Sequence, residues 1–223
     1  MSFVISSLNP FPNIVWWCQV LQTEKVVFDV NEHFEKMTYR NRYHIAGANG
    51  LLKMSIPIQG GREHKSAMGN TRIANQDKWQ QQHWRTLISA YSNAPYFEFY
   101  CSALEELFIR KFEWLADFNL ATIHWLKQQL QISFEEQNTN AFQKQYPDAT
   151  CDLRNSKSET QRSPSIIHTS TFQLSNLPTV QLYQQVFQER TGFLPNLSLL
   201  DLLFAEGPYA LKWLRENSKR LLV

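Results

Sequence analysis

The chain has 223 residues, of which 43% are hydrophobic and 19% charged, a composition typical of a folded domain. Its 22 Lys and Arg against 20 Asp and Glu leave a net charge of only +2, which argues against a dedicated nucleic-acid-binding protein. The apolar runs are far shorter than the roughly 20 residues that span a bilayer, and the N-terminus lacks the basic segment of a signal peptide. We therefore expect a cytoplasmic protein of one domain, residues 1–223, without a transmembrane segment.

The sequence contains none of the common motifs for a cofactor or metal site. Cys18, Cys101 and Cys151 are widely separated and form no CxxC pair, which indicates reduced thiols. The seven glycines form neither GxGxxG nor GxxxxGK[ST], and the histidines have no HExxH or HxH spacing. We therefore predict neither a cofactor nor a metal.

The first thirty residues predict a βαβ unit. A short apolar run at 3–6 ends in the turn Asn9-Pro10-Phe11-Pro12, and Asn13 is a suitable N-cap for the apolar helix that follows. The β-branched segment 25–30 predicts a second strand, which a helical crossover would place parallel to the first. We expect an α/β protein with a mixed sheet flanked by helices, and the alternative is an α+β fold.

The rest of the chain combines predicted strands, helices and a polar stretch. Residues 51–58 alternate as a strand does, and helical periodicity predicts helices at about 77–93, 97–110 and 113–130. From about 138 to 165, Asn, Gln, Ser and Lys dominate, which predicts a polar excursion peripheral to the core, with a strand around 151–153 that adds to a sheet edge. Gly207-Pro208 begins a last helix in a helical C-terminal part.

A dense polar cluster at 33–44 follows the second predicted strand. In an open α/β sheet, ligands bind beyond the carboxyl ends of parallel strands, which is where this cluster should lie. If the segment is extended, Arg40 and Arg42 project to one face and offer two guanidinium forks for phosphate or carboxylate. The alternative is that both arginines are solvated or form structural salt bridges. The same site would include Tyr39, Asn41 and the point charge of Lys36.

The helix predicted at 77–93 supplies a candidate general base. The ordinary pKa of a histidine, about 6.5, suits His83 to this role, and a buried hydrogen-bonded core histidine is the alternative. Tyr91 lies two turns further on nearly the same side, and Tyr96 follows the helix. Either ring, or that of Tyr39, would stack on a base or a sugar face.

Several blocks of the sequence, in order, resemble the WbqC-like family of bacterial proteins. They cover nearly the whole chain except the polar stretch from about 135 to 178, and they lie at 9–14, 34–42, 46–50, 79–84 with 90–91 and 94–97, and 196–208. The Arg40-Asn41-Arg42 and His83-Trp84 blocks match the family pattern, whereas the turn at 9–12 lacks a tyrosine that many members carry. The resemblance implies a setting in bacterial surface-polysaccharide (O-antigen) biosynthesis.

Together, the resemblance and the polar residues predict a transferase that acts on an anionic, nucleotide-linked sugar or glycan precursor. In this prediction Arg40 and Arg42 hold phosphate, and Lys36 and His83 are the catalytic residues. One alternative is a non-catalytic binding or assembly protein of the same pathway. Another is a nucleotidylyltransferase-like enzyme, although the HxGH motif is missing from the sequence.

The shape of the surface should distinguish an enzyme from an assembly protein. An assembly protein predicts a flat apolar patch, and the oligomeric state is left open. An enzyme predicts one deep pocket that joins 9–13, 33–42 and 83–91.

Overall fold

The computed structural model describes residues 2–60, 66–154 and 183–221, with side chains described as far as Ser218. These residues share one hydrophobic core, and its largest fully buried side chains include Trp17, Tyr43, Tyr91 and Phe118. None of the helices in the described ranges combines the length and apolar character that a membrane span requires.

The N-terminal residues form the predicted βαβ unit. Strand β1, Phe3–Ser6, is followed by helix α1, Ile14–Val20, and strand β2, Lys25–Phe28. The Asn13 side chain caps α1 by accepting a hydrogen bond from the Trp16 N–H at 2.9 Å. Strands β1 and β2 are parallel, as predicted, with Val4 opposite Val26.

The βαβ unit is the centre of a four-stranded parallel sheet. Strand β5, Glu135–Asn138, pairs with β2, and strand β6, Cys151–Asp152, pairs with the other side of β1. The spatial order is therefore β5-β2-β1-β6. The chain builds outward from β1 through β2 to β5 and then returns to the opposite side of β1, so the strand order reverses between β1 and β6. In such sheets the carboxyl ends at this reversal are the usual place for a ligand.

Strands β3, Arg42–Gly47, and β4, Gly50–Ser55, form an antiparallel hairpin, a sheet of its own beside the parallel one. Tyr43 and Ile45 on β3 are buried, because alternate side chains of a strand point to opposite faces. On the other face His44 lies opposite Lys53.

The remaining described elements are mostly helices that pack on the hydrophobic core. After the hairpin come α2, Trp79–Tyr91, α3, Phe97–Ile109, and α4, Leu115–Leu130, close to the three predicted ranges. The C-terminal part contains α5, Gln188–Thr191, α6, Leu199–Glu206, and α7, Ala210–Leu221. The α/β fold is thus confirmed.

The polar excursion predicted at about 138–165 is described only as far as Arg154. Side chains from 140 to 150 are mostly exposed, but Leu153 and Arg154 are buried. The strand expected around 151–153 forms as β6 at the sheet edge. Residues 155–165 lie outside the described residues.

Candidate functional site

A buried ion pair lies at the carboxyl edge of the parallel sheet, beside the reversal in strand order. Arg154 follows β6 and donates from Nη1 to Oδ2 of Asp29 at 2.8 Å and from Nη2 to Oδ2 of Asp152 at 2.5 Å. Asp29 follows β2 and has no exposed surface. The Ser7 hydroxyl, just beyond β1, donates to the Arg154 carbonyl. Charged side chains of the protein itself therefore fill this edge.

Arg40 forms a second buried ion pair at the same edge. Its Nε and Nη2 donate to the two carboxylate oxygens of Glu32 at 2.9 and 2.5 Å, and Nη2 also lies 3.3 Å from the Arg154 carbonyl oxygen. Burial raises the pKa of Glu32, and the hydrogen bond and charge of Arg40 partly oppose that rise. Glu32 occupies the guanidinium fork that the sequence assigned to phosphate.

The segment before β3 is not extended, which corrects the premise that Arg40 and Arg42 project to one face. Residues Tyr39–Asn41 form a 3-10 turn, and the Thr38 side chain caps it by accepting from the Arg40 N–H. Arg42 is the first residue of β3, whereas the Arg40 side chain turns toward Glu32. The two arginines therefore have different neighbours.

The outer face of the hairpin carries a group of side chains that we call the hairpin cation site: Tyr39, Arg42, His44 and Lys53. Neither Arg42 nor Lys53 forms a salt bridge within the described residues, and Nε of Arg42 is buried without a hydrogen-bond partner there. Two neighbouring cations without a described counter-charge make this site suited to an anion.

His44 reports the positive charge of this site. Its pKa is lowered to about 4, chiefly by burial and in addition by the charges of Lys53 and Arg42. Its Nδ1 lies 3.3 Å from the Tyr39 hydroxyl oxygen. At neutral pH the imidazole is uncharged, so it can donate one N–H to a bound anion without adding repulsion between cations.

His83 lies in the core, away from the hairpin cation site. Its Nε2 is 3.2 Å from the Ser55 carbonyl oxygen, and its Nδ1 is 3.1 Å from the Tyr43 hydroxyl oxygen. A carbonyl can only accept, so Nε2 carries the proton and Nδ1 accepts from Tyr43. Burial lowers the pKa of His83 to about 4, and the Trp79 ring packs against it. This is the arrangement of a neutral core histidine.

Asn41 ends the 3-10 turn, and Lys36 precedes it. The Asn41 side-chain amide donates to the Ile56 carbonyl at 2.9 Å, and the Asn41 backbone carbonyl accepts from the Ile56 N–H, so Asn41 links the turn to the residue that follows β4. Lys36 is half-buried and has no ion pair with any described residue. Among the described residues, neither side chain forms a hydrogen bond or an ion pair with the hairpin cation site.

Tyr91 belongs to a buried network around Asp201. Its hydroxyl donates to Oδ1 of Asp201 at 2.7 Å, and the Tyr183 hydroxyl donates to Oδ2 at 2.7 Å. Burial raises the pKa of Asp201 to about 6, although both hydrogen bonds oppose the rise. The Tyr96 ring packs on Gly207, where a Cβ atom would lie 2.4 Å from it. The structure therefore places both predicted stacking residues in the packing of α6.

Two surface cavities are lined by described residues, and neither joins the three segments expected of an enzyme pocket. One, of about 390 Å³, lies beside the start of α2 and is lined by Ser55, Pro57, 76–79 and Gln82. The other, of about 380 Å³, lies on the parallel sheet. Within the described ranges no three His, Cys, Asp or Glu side chains form a group that could hold a metal ion.

Three residues of the hairpin cation site and the buried ion pair, Lys53, Asp29 and Arg154, were not predicted from the sequence. Lys53 could have been found, because pairing the alternating segments 42–47 and 50–55 across a short turn places it opposite His44. Asp29 lies near the carboxyl end of the strand predicted at 25–30, and therefore close to the expected ligand edge. Arg154 gave no signal of its own, since it lies in a polar stretch and acquires its role only through β6.

A protein-family model, the WbqC-like protein family, matches residues 9–213. The chain therefore belongs to this family, as the sequence blocks indicated. No curated protein and no solved structure matches the chain.

Proposed function

We propose that this WbqC-like protein binds the phosphate of an anionic, nucleotide-linked sugar or glycan precursor at the hairpin cation site, and acts on it as a transferase in surface-polysaccharide biosynthesis. The observation that carries the proposal is the Arg42 guanidinium. No described residue accepts a hydrogen bond from it, and no described carboxylate forms a salt bridge with it. A phosphate would supply the missing acceptor and the missing negative charge.

The other side chains of the site have complementary roles. Lys53 lies on the exposed face of β4 and contributes a mobile point charge. The neutral His44 offers an N–H donor, and the half-buried Tyr39 ring beside it offers a surface for a base or a sugar. Anion binding removes the repulsion that the two cations exert on protonated His44, so we expect it to raise the pKa of His44.

Calorimetry with UDP-glucose as the probe tests this site. We expect Arg42→Lys to weaken binding about tenfold or more, because lysine keeps the charge and loses the two-pronged fork. Arg72→Lys is the matched control, since Arg72 is half exposed and already paired with Glu113 at 2.7 Å. In parallel, histidine NMR should show the His44 pKa rising with UDP-glucose. Equal affinity of wild type and Arg42→Lys, or a His44 pKa that does not respond, would refute the proposal.

A non-catalytic binding protein of the same pathway is the second candidate, and the packing of His83 favours it. Both ring nitrogens of His83 are engaged with Tyr43 and Ser55, which leaves this predicted base without a free position for a substrate. Release of UDP from UDP-glucose in the presence of saccharide acceptors separates the two candidates. Binding without release for every acceptor tested supports the binding protein, whereas release that Arg42→Lys diminishes supports the transferase.

A further inference from the structure

The cavity on the parallel sheet has the size of a small-ligand site and lies apart from the hairpin cation site. Its volume is about 380 Å³, within the range of ligand pockets. Phe3 lies opposite Lys25 in the sheet, and Val27 lies opposite Gln137, so these side chains share one face and form the floor. Residues 138–141, Gln143 and Tyr146 form the wall.

Four amide side chains dominate this lining: Gln137, Asn138, Asn140 and Gln143. None of these amides has a side-chain hydrogen bond to another described residue. Each amide presents both a donor and an acceptor, and a ligand hydroxyl is also both. The four groups are therefore suited to a ligand with several hydroxyls, each of which can donate to one amide and accept from another.

The charges around the cavity disfavour an anion. Lys25 is the only cationic side chain among the lining residues, and its Nζ pairs with Oε1 of Glu135 at 3.2 Å. Behind the wall, the buried carboxylate of Asp29 accepts from the Thr139 hydroxyl at 2.9 Å and pairs with the Arg154 guanidinium at 2.8 Å, so the two charges offset each other. A phosphate here would find no unpaired cation among the described lining residues, in contrast to the hairpin cation site.

The wall is held in place by the buried ion pair of the sheet edge. Arg154 donates from Nη1 to the Gln143 carbonyl at 2.8 Å, and its guanidinium lies 4.6 Å from the centre of the Tyr146 ring. Asn31 donates to the Thr139 carbonyl at 2.6 Å. Because the segment is anchored at both ends, its backbone and the Tyr146 ring keep their positions without a ligand, which lowers the entropic cost of binding.

We propose that this cavity binds a neutral, hydroxyl-rich ligand with the chemistry of an unmodified saccharide ring. The apolar floor of Phe3 and Val27 meets the C–H face of such a ring, Tyr146 flanks it, and the amides take its hydroxyls. This site does not depend on the anion site: its ligand carries no charge, and none of its residues belongs to the hairpin cation site.

Saturation-transfer-difference NMR on the full chain tests the proposal, with methyl glucoside, methyl galactoside, N-acetylglucosamine and lactose as probes at millimolar concentration. We expect at least one saccharide to bind, and the double variant Gln137→Ala/Asn140→Ala to weaken it about tenfold through the loss of two amide partners. Both side chains are exposed and lack described partners, so the variant should fold. Gln82→Ala, an exposed amide of the other cavity, is the matched control and should leave binding unchanged.

Three results would overturn the saccharide site. The first is the absence of a saturation-transfer signal for every neutral saccharide tested. The second is a loss of binding in Gln82→Ala equal to that in Gln137→Ala/Asn140→Ala. The third is binding of inorganic phosphate in preference to the saccharides, if Gln137→Ala/Asn140→Ala abolishes it. Glycerol is a further arm, because binding of glycerol with an affinity equal to that of the saccharides would show that no ring is recognised. Failure here would leave UDP-glucose binding through Arg42 intact, and failure of Arg42→Lys to weaken UDP-glucose would leave the saccharide signal intact.

Discussion

Arg40 and Arg42 are two residues apart in the chain, yet they enter regions with opposite charge balance. Arg40 is 6% exposed and lies between Glu32 and, at 3.8 Å, Glu35. Arg42 lies on the hairpin beside the cation Lys53 and the neutral His44, with no salt bridge to a described acid. The first region is an ion-pair network, and the second is a group of cations without a counter-charge from the described part of the chain.

The difference shows why the number of arginines in a motif is a poor guide to its function. A guanidinium that donates two hydrogen bonds to a buried carboxylate has no such pair of donors left for a ligand, and it stabilises the fold. A guanidinium with a buried, unpartnered nitrogen still has bonding capacity for a ligand. The two regions should therefore respond oppositely to mutation, one in stability and the other in binding.

Breaking the Arg40 pair should produce the largest loss of stability. Arg40→Met leaves the Glu32 carboxylate buried without its cation, and we expect the free energy of unfolding to fall by about 3–5 kcal/mol. Urea denaturation measures this loss. Arg40→Met/Glu32→Leu should recover most of it, because no buried charge is then left without a partner. A single variant as stable as the wild type would show that Glu32 does not depend on Arg40.

Titration of His83 gives the next largest effect. Its folded pKa of about 4 lies below the unfolded value of 6.5, so its contribution to stability is complete above pH 6.5 and is lost as the pH falls toward 4. Between pH 7 and pH 5 this loss amounts to about 2 kcal/mol. In His83→Gln the same pH change should cost correspondingly less in denaturation experiments. Asp201, with its raised pKa, contributes the opposite slope in both proteins and cancels in the difference.

The two histidines with lowered pKa values sharpen the comparison further. For His83 burial is the cause, whereas for His44 the charges of Lys53 and Arg42 add to burial. Arg42→Gln should therefore raise the pKa of His44 and leave that of His83 unchanged, and histidine NMR can follow both in one titration. A shift of both pKa values would point to a structural rearrangement, and a shift of neither would show that the Arg42 charge does not reach His44.

The smallest effect should be that of Arg42→Gln on stability. Arg42 has no described salt bridge to lose, and its removal relieves repulsion with Lys53, so we expect a change within about 0.5 kcal/mol in urea denaturation. Arg72→Gln provides the scale for a surface pair, because the half-exposed Arg72–Glu113 bridge should contribute about 0–1 kcal/mol. A loss of several kcal/mol in Arg42→Gln would place Arg42 in the same class as Arg40.

The local pattern of the sequence was enough to predict the βαβ unit, the three middle helices, the edge strand at Cys151 and the family. These features depend on short-range physics: Asn13 caps a helix that starts beside it, and apolar periodicity identifies which face of α2 or α4 is buried. The family blocks are likewise read residue by residue.

Only the tertiary structure decided which of these polar residues retain free bonding capacity. Whether Arg40 meets Glu32 or a ligand depends on a 3-10 turn and on Arg154, which lies 114 positions away in the chain. His83 is a core residue because Tyr43 and Ser55 approach it from the hairpin. Contacts between residues so far apart in the sequence depend on how the elements pack, and no local pattern encodes them. Only the folded structure therefore shows that Arg42 and Lys53 have no counter-charge among the described residues.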